Sequence, residues 1–208
     1  MSAPRGPDGS VFVISAPSGA GKTTLCKRLL REVSGIEFSV SFTTREAREG
    51  ESDGADYHFV DREEFERRRR AGEFVEWAVV DGHLYGTSAA AVQEATARGR
   101  DTLLDIDSQG AGEIRRLIPK AILIFIMLPS EEALSARLLK RGTEDPEGLA
   151  RRLGLARGEM EKAPSYDYVV INDDIDACFA KVRTILDAER MNRLRQTGLI
   201  DFVRELTR

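Results

Sequence analysis

The stretch Val11-Phe-Val-Ile-Ser15-Ala-Pro-Ser-Gly-Ala-Gly-Lys22-Thr23-Thr24 decides the fold. It opens with an apolar, β-branched run, which predicts a short buried strand. A Pro/Ser/Gly turn cluster follows, and then Leu25, Leu29 and Leu30 recur on one face of a predicted helix. Between strand and helix, Ala16-Pro17-Ser18-Gly19-Ala20-Gly21-Lys22-Thr23 matches the phosphate-loop pattern, with Ala16 in place of its first glycine. Small residues let successive backbone N–H groups converge on phosphate oxygens. Lys22 brings positive charge to the β and γ phosphates, and Thr23 offers a hydroxyl to Mg²⁺. The helix directs its positive dipole end at the same anions. Because Ala takes positive φ less readily than Gly, a slightly different bend is expected at Ala16.

Three more runs have buried-strand character: Thr102 to Asp107, Ala121 to Leu128 and Tyr168 to Ile171. Helical patterns over Glu131 to Arg141 and from Pro146, with Asp145 as cap, predict strand–helix alternation. Such alternation implies a parallel sheet covered on both faces. The last helix is expected from Ile175 to about Gln196. From Phe38 to Val80 the rhythm breaks. Strand-like pieces at Phe38 to Ser41, Tyr57 to Val60 and Phe74 to Val80 accompany one helix from about Arg62 to Arg70, opened by Asp61 and Glu64 in the manner of a capping box. This region reads as an insertion.

A length of 208 residues suits one domain or one core with small insertions, and 41% hydrophobic with 32% charged residues describes a folded globular chain. The net charge of -4 gives no general attraction to nucleic acid or anionic membranes. Arg67 to Arg70 lie among Glu63, Glu64 and Glu66 and read as a solvated helix face. The longest apolar run, Ala121 to Leu128, falls well short of the roughly 20 residues of a membrane-spanning helix. Met1 to Ser10 lacks the basic-then-apolar order of a secretory signal. Cys26 and Cys178 have no paired or metal-ligand spacing, and His58 and His83 stand apart. A cytoplasmic, reducing setting is expected, with no zinc site and neither nucleic acid nor membrane as partner.

A phosphate loop leaves the reaction open, so the second substrate decides. The Asn-Lys-x-Asp element by which GTPases read guanine is absent. Ser39 to Glu51 clusters hydroxyls with Arg45 and Arg48, and Tyr57 and Tyr85-Gly86-Thr87 follow. Guanidinium forks and phenol hydroxyls suit a dianionic phosphate monoester. Leu104-Asp105-Ile106-Asp107 ends a predicted parallel strand with acids two apart, which alternation puts on one face, toward the ligand crevice. Either acid is a candidate for helping to hold hydrated Mg²⁺.

At these residues the chain resembles the guanylate kinase family of P-loop nucleoside monophosphate kinases. The matching stretches are Ser15 to Lys22, Ser41 to Arg45 with Arg48, Gly50 and Glu51, Asp56-Tyr57, Phe74 to Trp77, Tyr85 to Thr87, Leu104 to Gly110, Arg137 to Gly142, and Val170 to Asp174. They run from about residue 10 to 190 in the family's order. The resemblance implies an α/β fold with a P-loop NTPase-type parallel β-sheet core flanked by helices (10–37, 88–135 and 165–190). It adds an inserted small mixed-β GMP-binding subdomain (38–87), a helical lid (136–160) and a C-terminal tail (191–208). The implied reaction is ATP-dependent phosphorylation of GMP, and of dGMP, to the diphosphate with release of ADP, in purine nucleotide metabolism.

Carried over residue by residue, the resemblance gives ATP to Ala16, Pro17, Ser18, Gly19, Ala20, Gly21, Lys22, Thr23, Thr24 and Asn172. It gives GMP to Ser41, Arg45, Arg48, Glu51, Tyr57, Glu76, Tyr85, Thr87, Asp105 and Asp107. Catalysis falls to Lys22, Arg45, Arg137, Arg141 and Arg152, and Mg²⁺ to Thr23 and Asp105. The chemistry agrees with the base assignment. Guanine presents N1–H and its 2-amino group as adjacent donors, which Glu76, aided by Ser41, Thr87 and Asp107, can accept, whereas adenine presents an acceptor at that edge. Leu84 and Thr87 depart from the family's commoner Tyr and Ser, and Thr87 keeps the hydroxyl. Two rival readings are a kinase for ribose bisphosphates and a non-enzymatic scaffold module of the same fold. Glu76 with Ser41 argues against the first, and intact Lys22 and Thr23 argue against the second.

Overall fold

In the computed structural model, which describes residues 9–140, 146–196, 198, 203–205 and 207, Val11–Ser15 is a strand (β1) buried along its whole length. Its alternate side chains enter two different cores. Phe12 and Ile14 meet helices α1 (Lys22–Glu32) and α7 (Ile175–Met191) through Leu25, Leu29, Val182 and Leu186. On the other face, Val11 and Val13 meet α3 (Ala89–Ala97) and α4 (Ser108–Leu117) through Val92 and Ile114. Neighbouring strands are β2 (Ile36–Phe38), β7 (Asp101–Asp105), β8 (Ile122–Met127) and β9 (Tyr168–Ile171), in the order β2-β7-β1-β8-β9. All four pairings are parallel. From β1 the chain goes by α1 to β2, and from β7 by α4 across to β8. The two connections leave in opposite directions, and at such a divergence a crevice opens beyond the carboxyl ends of the strands.

A second sheet stands between β2 and α3. Its strands are β3 (Phe42–Thr43), β4 (His58–Phe59), β5 (Phe74–Val80) and β6 (His83–Ser88), in the order β4-β3-β6-β5. Helix α2 (Arg62–Arg70) starts where the Asp61 carboxylate accepts from Glu64 N at 2.8 Å, and it lays Phe65 on this sheet. The fully buried Phe65 ring lies 4.6 Å from Phe74, centroid to centroid. Gly86 makes room for both, since a Cβ there would sit 3.0 Å from each ring. Strands β5 and β6 are joined by Asp81-Gly82, whose φ values of 50° and 81° give the two left-handed residues of a type I′ hairpin turn.

Several expectations change. Phe38 closes β2 in the core sheet, because Ile36 to Phe38 pair with Asp101 to Leu103. Asp107 is not in a strand: β7 ends at Asp105, and Asp107 caps α4, its Oδ1 accepting from Gly110 N at 2.8 Å. Strand β6 lies where only the Tyr85-Gly86-Thr87 motif is singled out. The last helix stops at Met191, since Asn192 takes an extended conformation and caps the 3-10 turn Arg193–Arg195. Two helices, α5 (Glu131–Lys140) and α6 (Pro146–Met160), follow β8 and are joined by an Arg157–Glu131 ion pair. Asp145 and Arg141 lie outside the described residues. No described helix is long and apolar enough to cross a membrane.

Replacing Phe65 by Ala removes the ring that joins α2 to the second sheet. We expect Phe65→Ala to lower the unfolding free energy by about 3 kcal/mol. Urea unfolding followed by circular dichroism would show the midpoint falling, and an unchanged midpoint would refute that packing role.

Candidate active site

Within the phosphate loop, positive φ is confined to Gly19 (88°) and Gly21 (93°). Ala16 is buried directly after β1 without positive φ. The loop turns on itself as Ala20 N donates to Pro17 O at 3.0 Å. Two residues distant in sequence then clamp Ala20 O: Asn172 Nδ2 donates at 2.6 Å and Arg137 Nη1 at 3.4 Å, while Arg137 Nη2 donates to Asn172 O at 3.1 Å. A Cβ on Gly21 would lie 2.7 Å from Asn172 Nδ2. Ser18, Thr23 and Thr24 are exposed at the loop and the first turn of α1.

Lys22 Nζ lies 2.5 Å from Asp105 Oδ1 and donates to Ile106 O at 3.3 Å. Burial alone would draw its pKa down, but the Asp105 carboxylate outweighs that effect, and the ammonium is held more firmly than usual. Beside it, in the crevice, is a cavity of about 170 Å³. Lys22, Asp105, Ile106 and Asp107 wall it from the core, and Ser41, Tyr57, Glu76, Ala78, Val80 and Tyr85 from the second sheet and its approach. A further cavity of about 230 Å³ shares Tyr57, Tyr85 and Asp105 and adds Thr23, Arg45, Arg48 and Glu51.

The two ends of this space differ in charge. A register shift between Phe74 and Glu76 sets Glu76 opposite Thr87, and from there Glu76, Ala78 and Val80 face the cavity while Trp77 and Val79 face outward. Glu76 is 5% exposed, and its Oε1 accepts from the Thr87 hydroxyl at 2.5 Å. Burial pushes its pKa up to about 7. Asp107 and Glu113 reinforce the rise, and Thr87 opposes it. Thr87 itself is fully buried and reaches the cavity only through Glu76.

At the other end, Arg45 donates through Nε to Tyr85 Oη at 3.2 Å and through Nη2 to Glu51 Oε1 at 2.9 Å. Glu51 Oε2 accepts from Arg48 N at 2.8 Å. Burial works against ionisation of Glu51, but Arg48 N–H and Arg45 hold its pKa below the usual range. Glu51 thus orients Arg45 across the face of Tyr57, whose ring centroid is 5.4 Å away. Burial, with Asp105 next in weight, raises the Tyr57 pKa and keeps the phenol protonated.

The structure therefore gathers Lys22, Ser41, Arg45, Arg48, Glu51, Tyr57, Glu76, Tyr85, Asp105 and Asp107 around one space. Arg137 and Asn172 are joined to the phosphate loop, and Arg152 is half-buried on α6. Ala78 and Val80 go unnoticed in the sequence, although alternation from Glu76 points to them. Glu159 on α6 also goes unnoticed, and a lone Glu in a helix carries no signal. Burial pushes its carboxyl up, while Lys22 and the Ser18 N–H draw it down, which puts α6 beside the phosphate loop. Among the described residues no group of three or more His, Cys, Asp or Glu could cage a metal. The Thr23 hydroxyl and the Asp105 carboxylate line the same cavity, and this hard-oxygen pair fits Mg²⁺ that arrives with phosphates.

A sequence model of the family described as guanylate kinase matches residues 8–189. A guanylate kinase of Novosphingobium aromaticivorans is 52% identical over 96% of this chain and 91% of its own length. One from Symbiobacterium thermophilum is 48% identical over 92% and 91%. The crystal structure of guanylate kinase from Anaplasma phagocytophilum superposes with a TM-score of 0.81 at 37% identity, covering 97% of this chain and 96% of that one.

Glu76 makes stability depend on pH. Its folded pKa of about 7 lies above the ordinary 4.5, so the native state binds the proton more tightly and loses stability as pH rises from 4.5 through 7. Glu76→Gln removes that loss. We expect the variant to gain on the wild type between pH 5 and pH 8, by at most about 3 kcal/mol, in urea titrations. A constant difference across this range would refute the raised pKa.

Proposed function

The chain belongs to the guanylate kinase family and is a nucleoside monophosphate kinase, and we propose that it transfers the γ-phosphoryl group of ATP to GMP and dGMP in cytoplasmic purine nucleotide metabolism. The observation that carries this reading is the buried Glu76–Thr87 pair at one end of a cavity whose other end is Arg45, Tyr57 and Tyr85. In its ionised form Glu76 accepts from guanine N1–H and the 2-amino group, and Ser41 and Asp107 line the same wall. Adenine would set its N1 acceptor against that carboxylate. The mismatch costs about 1 to 3 kcal/mol, or roughly tenfold to a hundredfold in discrimination. Arg45, Arg48, Tyr57 and Tyr85 hold the acceptor phosphate. A ribose bisphosphate offers Glu76 no paired N–H donors, and a scaffold module has no use for the Lys22 arrangement.

On the donor side, backbone N–H groups of residues 16–24 and Lys22 hold the triphosphate, and Asn172 keeps the loop in shape through Ala20. Thr23 and Asp105 would hold Mg²⁺ that arrives with the phosphates, and the bound ion would supply charge neutralisation where negative charge collects. An acceptor phosphate oxygen attacks the γ phosphorus while the bond to the β–γ bridging oxygen breaks, and ADP leaves. The attacking oxygen is already anionic, so no general base is required. We assign Arg137, Arg141 and Arg152, from the 136–160 segment, to the charge on the moving group, with closure of that segment excluding water.

An ADP-release assay with ATP against GMP, dGMP, AMP, UMP and ribose bisphosphate tests the reading. We expect GMP and dGMP to stimulate release, Lys22→Ala to abolish it, and Glu76→Ala to cut the preference for GMP over AMP by about tenfold or more. Stimulation by ribose bisphosphate instead, or an unchanged GMP preference in Glu76→Ala, would overturn the assignment. The KM for GMP should also climb as pH falls below 7, because protonated Glu76 cannot accept both donors. The climb approaches about tenfold per pH unit and is missing in Glu76→Gln. Identical profiles for the two proteins would sink the idea.

A further inference from the structure

Gly110 stands in the first turn of α4 and is buried. Its φ lies outside the left-handed region, so backbone freedom does not explain a glycine there. In a helix, glycine is less favourable than alanine by about 1 kcal/mol. Space supplies the reason. A Cβ on Gly110 would lie 2.7 Å from Glu76 Oε2 and 3.2 Å from Glu76 Cδ, whereas its next neighbour, Ile106 Cδ1, would be an ordinary contact at 3.4 Å. The opposite oxygen, Oε1, is fixed by the Thr87 hydroxyl at 2.5 Å. The Glu76 carboxylate is thus held between a hydroxyl on β6 and the bare backbone of α4. That backbone is itself fixed, because Gly110 N donates to the Asp107 cap.

We infer that Gly110 is a positioning residue for the acceptor base: the missing side chain sets how deep the Glu76 carboxylate sits, and with it which base edge the cavity takes. The inference rests on the proposed GMP reading. A methyl group at Gly110 meets the end of a flexible side chain, so the carboxylate moves and the helix does not. It then stretches away from Thr87 or tilts into the space intended for guanine. Fold and donor site are untouched, and the effect falls on the acceptor.

The test compares wild type, Gly110→Ala, Glu76→Asp and the double variant. It uses ADP release with saturating ATP and varied GMP or inosine monophosphate, which keeps N1–H and lacks the 2-amino group. Gly110→Ala is expected to raise the KM for GMP about tenfold or more and to narrow the preference for GMP over inosine monophosphate, with the KM for ATP within about twofold and Tm not lowered. The double variant is expected to use GMP no worse than Glu76→Asp alone, because the shorter carboxylate no longer meets the methyl. An unchanged KM for GMP in Gly110→Ala, or a double variant whose loss is the product of the two single losses, overturns the inference. So does a fall in Tm with both KM values rising in step, which marks a packing defect. A wild type that takes another acceptor and not GMP overturns the proposed function and this inference together. A wild type that prefers GMP beside an unaffected Gly110→Ala overturns this inference alone.

Discussion

The ammonium of Lys22, at the start of α1, and the carboxylate of Asp105, at the end of β7, lie 2.5 Å apart, and the geometry of the crevice follows from that contact. Each charge is largely removed from water, a state that is tolerable only because they are paired and because Ile106 O takes another of the lysine's N–H groups. The pair registers the phosphate loop, which hangs from β1, against the segment that runs from β7 into α4. That segment carries Ile106, Asp107 and Gly110. One short piece of backbone therefore backs both the phosphate loop and the far end of the cavity.

Opposed electrostatics organise the rest. One end of the cavity is cationic at Arg45 and Arg48, and the other is acidic at Glu76 and Asp107. Each end is shaped by a supporting contact: Glu51 aligns Arg45, and Thr87 aligns Glu76. A chain with a net charge of -4 can in this way attract a dianion locally.

The parts that were legible in the sequence are those that local pattern controls. Val11 to Ser15 and Phe74 to Val80 declare themselves by apolar runs or alternation, and Asp61 with Glu64 marks the start of α2. Strand β6 does not, because His83-Leu-Tyr-Gly-Thr-Ser88 mixes polarity and contains a glycine. Asp81-Gly82 between two strand-like runs was the available sign of the hairpin. Asp107 is ambiguous for a physical reason: an acid before Ser-Gln-Gly suits a helix cap as well as a strand end. The Glu76–Thr87 pairing needs the bulge before Glu76, and the hold of Asn172 and Arg137 on Ala20 joins distant parts of the chain. Neither can be read without the fold.

The hairpin from Phe74 to Ser88 contains Glu76, Thr87 and the inward Ala78 and Val80, with Tyr85 its one contribution to the phosphate end. Most of what we assign to recognising the base is thus encoded contiguously, on a unit whose folding is local, whereas the phosphate-handling groups come from across the chain. Heredity can then act on the two tasks separately. Changes confined to one hairpin can retune much of acceptor choice while the transfer machinery stays as it is, and Ser41, Asp107 and Gly110 act on the same end of the cavity from outside that hairpin.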